Sequence, residues 1–236
     1  MFKRKIRIFA ISDLHLGFKL NKSMEVFGDE WKDYLSIIKS DWKKSVKKND
    51  IVLIPGDISW AMKTGDVLPD IEWISELPGR KVMIRGNHDY WWSSRTAVRK
   101  ILKNDMYIID NDSLQLNGYV FCGTRGWTVP ERRNTQVDSE KKIFEREVRR
   151  LEMSVRDAFK KESVNKIIGM IHYPPFNTSM DDSEFTKIFE KYGIEKVVYG
   201  HIHGKNSKAI MEYKKNGITY YLTSCDKLGH KLKRII

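Results

Sequence analysis

Apolar residues in this chain recur in two rhythms. Short, nearly continuous apolar runs bounded by turn-forming residues occupy residues 6–11, 51–54, 81–84, 107–109, 119–122, 167–171 and 197–199. Runs of this length and boundary chemistry predict short, mostly buried β-strands. Between them the period lengthens. Trp31, Tyr34, Leu35, Ile38 and Trp42 stand at helical spacing within residues 30–46, and residues 69–77 and 91–102 carry similar patterns. The longest helix expected covers 138–162, where Phe144, Val148, Leu151, Val155 and Ala158 form one apolar stripe amid many charges. A coiled coil needs three or more sustained heptads, so this shorter stripe predicts an amphipathic helix lying on a sheet. From residue 208 onward the pattern reads as a hairpin, its arms 209–213 and 218–223 joined by Lys214-Lys215-Asn216-Gly217. Strands alternating with helices predict an α/β fold.

Composition narrows the class. Hydrophobic residues make up 41% of the 236 positions and aromatics 11%, enough to offset the ordering entropy of a packed chain, so a single domain over 1–236 is expected and disorder is excluded as the main state. No stretch approaches the roughly 20 apolar residues of a membrane span, and the first residues run into a strand pattern rather than a signal-peptide core. A cytoplasmic location without membrane partners is the expectation. Cys122 and Cys225 lack the paired spacing of a zinc site and read as small buried side chains. A formal charge of +12 suits anionic partners, nucleic acid among them, although pairs such as Lys43-Lys44 and Lys160-Lys161 read as solvated helix faces.

The chemistry lies at the ends of the apolar runs. Ser12-Asp13-Leu14-His15, Gly56-Asp57, Gly86-Asn87-His88-Asp89, His172 and Gly200-His201-Ile202-His203 each follow an expected strand. In open α/β sheets, groups at the carboxyl ends of strands converge on one crevice. Residues two apart on extended chain point the same way, so Asp13 with His15, and His201 with His203, are expected to reach one small volume. Any one of these segments reads equally well as an ordinary turn. Together they do not, because five of the six histidines fall inside them. A mixed Asp, Asn and His set points to Mn, Fe, Zn or Co rather than to calcium or a thiolate site.

Taken in order, Asp-x-His, Gly-Asp, Gly-Asn-His-Asp, a later lone His and Gly-His-x-His resemble the calcineurin-like metallophosphoesterase pattern across about residues 6–204. The resemblance implies a four-layer α/β/β/α sandwich, two mixed β-sheets faced by helices, with the site at the sheet edge. It implies two divalent transition-metal ions, manganese first, with Fe, Zn, Co or Ni as alternatives. Asp13, His15, Asp57 and His203 would hold one ion, and Asp57, Asn87, His172 and His201 the other. The pair would share a hydroxide that attacks a phosphate ester. His88, by the same resemblance, is not a ligand; it protonates the leaving oxygen, and Asp89 holds its ring. From local sequence, Asp89 also reads as the cap of a helix starting at Tyr90.

Around these residues, Arg85 and Arg125 are the candidates for gripping substrate phosphate, because a guanidinium fork matches its oxygens. Trp60, Tyr90-Trp91-Trp92 and Trp127 divide between core packing and substrate contact. Long connections at 17–29 and 124–137 are expected to border the site, the first as a lid. Many phosphomonoesterases of the resembled family carry Asp or Asn where Trp60 stands here. His172-Tyr173-Pro174-Pro175 is similar to a stretch of cyclic nucleotide phosphodiesterase relatives, so the sequence tilts toward diesters. Three readings follow: a small-molecule phosphoesterase, a nuclease or nucleic-acid binder using the same metals, and a non-catalytic interaction module on the same fold.

Overall fold

The computed structural model describes residues 5–131, 138–161 and 166–236. In chain order the strands are β1 (Ile8–Ala10), β2 (Ile51–Pro55), β3 (Arg80–Ile84), β4 (Met106–Ile108), β5 (Ser113–Leu116), β6 (Tyr119–Thr124), β7 (Ile167–Ile171), β8 (Lys196–Tyr199), β9 (Glu212–Lys215), β10 (Ile218–Leu222) and β11 (Lys233–Arg234). The helices are α1 (Tyr34–Ser45), α2 (Leu68–Ser75), α3 (Arg95–Ile101), α4 (Asp138–Ala158) and α5 (Glu184–Lys191). One sheet has the order β11-β1-β2-β3-β4 and the other β5-β6-β7-β8-β10-β9. Both are mixed: β1 to β4 run parallel with β11 antiparallel, and β6, β7, β8 and β10 run parallel with β5 and β9 antiparallel.

Strand parity sorts the side chains into layers. On β2, Ile51 and Leu53 join Ile8, Ala10, Val82 and Ile84 against Phe121, Ile168, Met170 and Val198 of the second sheet. Val52 and Ile54 point the other way, into a cluster with Ile38 and Trp42 of α1, Ile71 and Ile74 of α2 and Val98 of α3. The second sheet repeats the pattern, its outer face packing Val120, Ile171, Val197 and Leu222 under Leu151 and Val155 of α4 and Phe185 and Phe189 of α5. The result is the expected α/β/β/α stack. Strands buried on both faces read as continuous apolar runs, which is why β2, β3 and β7 were visible in sequence. Among the described residues no helix is long and apolar enough to cross a membrane.

Several elements differ from expectation. The helix expected over 30–46 is divided, with a 3₁₀ turn at Asp29–Trp31 and a left-handed Asp33 (φ 56°) before α1. The helix expected over 91–102 begins only at Arg95, where the Ser94 side chain accepts from the Ala97 N–H. Trp91 and Trp92 instead fill the outer core. The first hairpin arm starts at Glu212, and the Asn216-Gly217 turn has positive φ at both residues, as a two-residue hairpin requires. β5, β11 and α5 had no counterpart in the sequence reading. The final residue of the helix expected to 162 and positions 132–137 of the second long loop lie outside the described residues.

At the end of the first sheet opposite the strand-end residues, an ion pair joins β1 to β2. The Arg7 Nε and Nη2 atoms donate to Asp50 Oδ2 at 3.1 and 2.5 Å, and the Lys47 N–H donates to the same oxygen at 2.9 Å. Burial by itself raises the Asp50 pKa, but these donors and the Arg7 charge outweigh it and hold the carboxyl below its ordinary value. A depressed folded pKa means stability that is full above the unfolded carboxylate value, about 3.9, and lost as pH falls through the folded one. Asp50→Asn is therefore expected to cost about 2 kcal/mol near pH 7, shrinking as pH falls below about 4. Urea unfolding of both proteins across that range checks it, and a deficit independent of pH would contradict the ionic assignment.

Candidate metal centre

The carboxyl ends of five strands deliver the polar residues to one place. Asp13 and His15 follow β1, Asp57 follows β2, Asn87 follows β3, His172 ends β7 into its loop, and His201 and His203 follow β8. Two groups form. Asp13, His15 and His203 bring ligand atoms within 4.8 Å of one another, and so do Asp57, His172 and His201. The Asp57 carboxylate stands between the groups: its Oδ2 lies 3.4 Å from His172 Nε2 and 3.8 Å from His15 Nε2. The other oxygen, Oδ1, accepts the His88 backbone N–H at 2.8 Å. Asn87 Oδ1 faces His172 Nε2 at 2.7 Å and His201 Nδ1 at 2.9 Å.

The polar atoms here are under-satisfied in a way that fits cations. Asp57 Oδ2 and both ring nitrogens of His15 are buried and make no hydrogen bond to described residues. His172 Nδ1 lies 2.9 Å from the Pro55 carbonyl, which requires a proton on Nδ1 and turns Nε2 toward the oxygens of Asn87 and Asp57. Burial favours a neutral His172, yet Asp57 and then Asp13 push its pKa up to about 9. A cation among these oxygens does electrostatically what that extra proton does. Burial drives His15 and His201 down to about 3, leaving both rings in the neutral form that ligates metal. Asp13 is oriented by the Ser12 hydroxyl at 2.6 Å and by the His201 N–H, 3.1 Å from each carboxylate oxygen.

Convergence is achieved by backbone strain rather than by strand alternation. Asp13 (φ 58°), His15 (φ 46°), Asp57 (φ 52°) and His201 (φ 72°) all occupy left-handed conformations. The expectation that Asp13 with His15, and His201 with His203, project from extended chain is corrected accordingly. Such conformations cost of order 1 kcal/mol or more each for a residue with a Cβ and persist where the surroundings over-determine them. Close approach of neighbouring turns does so here. A Cβ on Gly86 would lie 2.1 Å from Asp57 Oδ1, and one on Gly200 2.6 Å from Asp13 Oδ2.

His88 and Asp89 separate. Asp89 is fully buried and accepts from the N–H groups of Ile58 (2.9 Å), Ser59 (3.1 Å) and Gly86 (2.7 Å) and from Trp91 Nε1 (3.0 Å). It ties the Gly56-Asp57 turn to the Gly86-Asn87 turn, and none of its hydrogen bonds goes to the His88 ring. The expectation that Asp89 holds that ring is corrected, and the helix cap is Ser94. The His88 ring is positioned by aromatic contact, 4.6 Å from Trp60 and 5.5 Å from His15 between centroids. Trp60 also stacks on His15 at 4.6 Å, and Lys22 Nζ sits 3.7 Å over Trp60, which brings the 17–29 connection over the centre. Tyr173 lies against His201 at 4.0 Å. In the sequence, the signal for Trp60 is its position three residues after the candidate ligand Asp57, in the loop that follows β2. Arg85 and Arg125 come together beside this centre, in a cavity of about 220 Å³ that contains none of the candidate ligands.

The calcineurin-like phosphoesterase model matches residues 6–205, and the chain belongs to that family. Among curated proteins, the Gene 66 protein of Mycobacterium phage L5 is 38% identical over 78 residues, a stretch covering 33% of this chain and 37% of the phage protein. The corresponding protein of Mycobacterium phage D29 is 36% identical over 83 residues, 35% of this chain and 40% of that protein. The matched stretch thus spans well under half the length of these relatives. Among solved structures, the phosphopantetheinyl hydrolase of Mycobacterium tuberculosis shares the fold with a TM-score of 0.58 at 12% identity, covering 98% of this chain and 95% of that one. A protein of unknown function from Aquifex aeolicus gives a TM-score of 0.53 at 16% identity, covering 98% and 96% of the two chains.

Proposed function

We propose that this protein is a hydrolase of phosphate esters that works with two divalent transition-metal ions, manganese foremost. The observation that carries the reading is the Asp57 carboxylate, whose Oδ2, without a hydrogen bond among the described residues, lies 3.4 Å from His172 of its own group and 3.8 Å from His15 of the other. Asp13, His15, His203 and Asp57 would hold one ion, and Asp57, Asn87, His172 and His201 the other. Such ions supply a nucleophilic oxygen at neutral pH and neutralise charge on the phosphoryl oxygens.

The chain's own residues divide the remaining work. In hydrolysis the oxygen of water joins phosphorus, the ester P–O bond breaks, and the leaving oxygen takes a proton. His88 is placed to give that proton, because its ring nitrogens make no hydrogen bond to any described residue and Trp60 fixes the ring plane. The organic part of the ester fits a cavity of about 740 Å³ that begins at His201 and is lined by Tyr173, Phe176, Ile202 and Ile210. An apolar wall next to the centre favours an ester with an aromatic or aliphatic group, and supports diesters over bare phosphomonoesters.

Metal-stripped protein is expected to be inert toward bis-p-nitrophenyl phosphate and p-nitrophenyl phosphate. Adding back Mn, Co, Ni, Zn or Mg singly should restore turnover with a transition metal, and the diester should be the better substrate. Tight metal binding with no turnover of either ester would overturn the hydrolase reading and move weight to an interaction role.

A further inference from the structure

The cavity holding Arg85 and Arg125 is more than a rim. It lies at the carboxyl ends of β3, β4 and β6 and is closed by α4, which adds Arg146 and Arg150. Four guanidinium groups thus face a space of about 220 Å³. Two carboxylates share it. Glu147, fully buried, accepts from Thr124 Oγ1 at 2.7 Å and from Arg150 at 2.8 Å, with Arg125 at 3.5 Å and Arg146 at 3.6 Å from the same oxygen. Asp110 accepts from the Asn111 amide at 3.1 Å. Four positive charges against these two negative ones leave an excess of two. The Nε atoms of Arg85 and Arg125 are buried with no acceptor among the described residues. Leaving buried N–H donors unsatisfied is costly, so the cluster is built for an acceptor beyond Glu147.

Size and place narrow the ligand. A drug-sized molecule needs about 300 Å³ or more, whereas this cavity suits one compact oxyanion. It adjoins the metal centre through the backbone: Arg85 directly precedes Gly86-Asn87, and the Arg125 carbonyl accepts the N–H groups of His172 and Tyr173 at 3.1 and 3.0 Å. We infer that this four-arginine cavity binds a phosphoryl group, namely a second phosphate carried by the ester that is hydrolysed at the metal centre. The inference rests on the phosphoesterase reading for the source of that phosphate, though not for the site itself. Guanidinium forks pair bidentately with phosphate oxygens, and none of the candidate metal ligands lines the cavity, so it would select the substrate apart from the group that is hydrolysed.

The test separates these parts. Calorimetric titration of the metal-free chain with inorganic phosphate should show binding that weakens about tenfold or more in R146Q/R150Q. In the metal-loaded protein, a p-nitrophenyl phosphodiester of thymidine carrying a second phosphate on the sugar should be preferred about tenfold over the same diester without it. R146Q/R150Q should erase that preference through KM while leaving bis-p-nitrophenyl phosphate turnover unchanged. R146Q alone, whose side chain is half exposed, serves if the double variant does not fold. Loss of phosphate binding with no preference between the two diesters would keep the site and assign it to free phosphate. If the variants lower thermal stability but leave phosphate binding and the substrate ratio intact, the cluster is only an ion-pair brace for Glu147 and the inference fails. Failure of the phosphoesterase reading looks different: no bis-p-nitrophenyl phosphate turnover by the wild-type protein, with phosphate binding unaffected.

Discussion

Asp57→Asn is expected to strip the protein of metal and of activity together. The substitution keeps the side chain's shape and its Oδ1 acceptor for the His88 N–H, seen at 2.8 Å, so the turn that carries it should survive. What it removes is the negative charge that His172 and His201 share and that faces His15 of the other group. An amide oxygen shared by two dications cannot replace a carboxylate, and the several kcal/mol of charge stabilisation at stake correspond to about a thousandfold or more in turnover. Elemental analysis after desalting should find at least one metal equivalent gone. Bound metal at wild-type stoichiometry with wild-type turnover of bis-p-nitrophenyl phosphate would refute the bridging role.

His88→Ala is the complementary experiment, because it should separate chemistry from metal binding. The His88 ring packs on Trp60 and beside His15 without belonging to either ligand group, so metal content should stay at the wild-type level. Losing a positioned general acid costs about 10²–10⁴ in kcat for an alkyl leaving group and much less for p-nitrophenolate, which departs without a proton. The ratio of the two rates, measured in wild type and variant, is therefore the diagnostic quantity. Full activity on the alkyl ester would remove His88 from the mechanism. Asp89 enters this comparison only indirectly, since its four N–H partners make it a brace between two turns rather than a partner of the imidazole.

How legible the molecule was in its sequence follows from where its information is stored. Strands buried on both faces, such as β2 and β7, advertise themselves as unbroken apolar runs, and α4 shows its stripe because only one face packs on the sheet. β5 and β11 are a four-residue and a two-residue edge strand, with little apolar pattern to read. α5 was missed although its Ser183-x-x-Thr186 capping box was in plain view. Trp91 and Trp92 lie at the start of a helical pattern in the sequence, because apolar spacing does not distinguish a helical turn from a loop that dips into the core.

The sequence by itself determined which polar residues stand at the strand ends. Polar residues that follow apolar strands gather at one sheet edge once those strands are parallel, whatever the loops do. Only the tertiary structure decided how they face one another. The left-handed backbone at Asp13, His15, Asp57 and His201 is imposed by neighbouring turns pressed together at Gly86 and Gly200, a constraint no local propensity encodes. It likewise turned Asp89 inward, laid Trp60 across two histidines, and joined Arg146 and Arg150 of α4 to Arg85 and Arg125. The last pairing spans more than fifty positions of chain, from Arg85 to Arg146, and depends on α4 docking over β6, a contact set by long-range packing rather than by any motif.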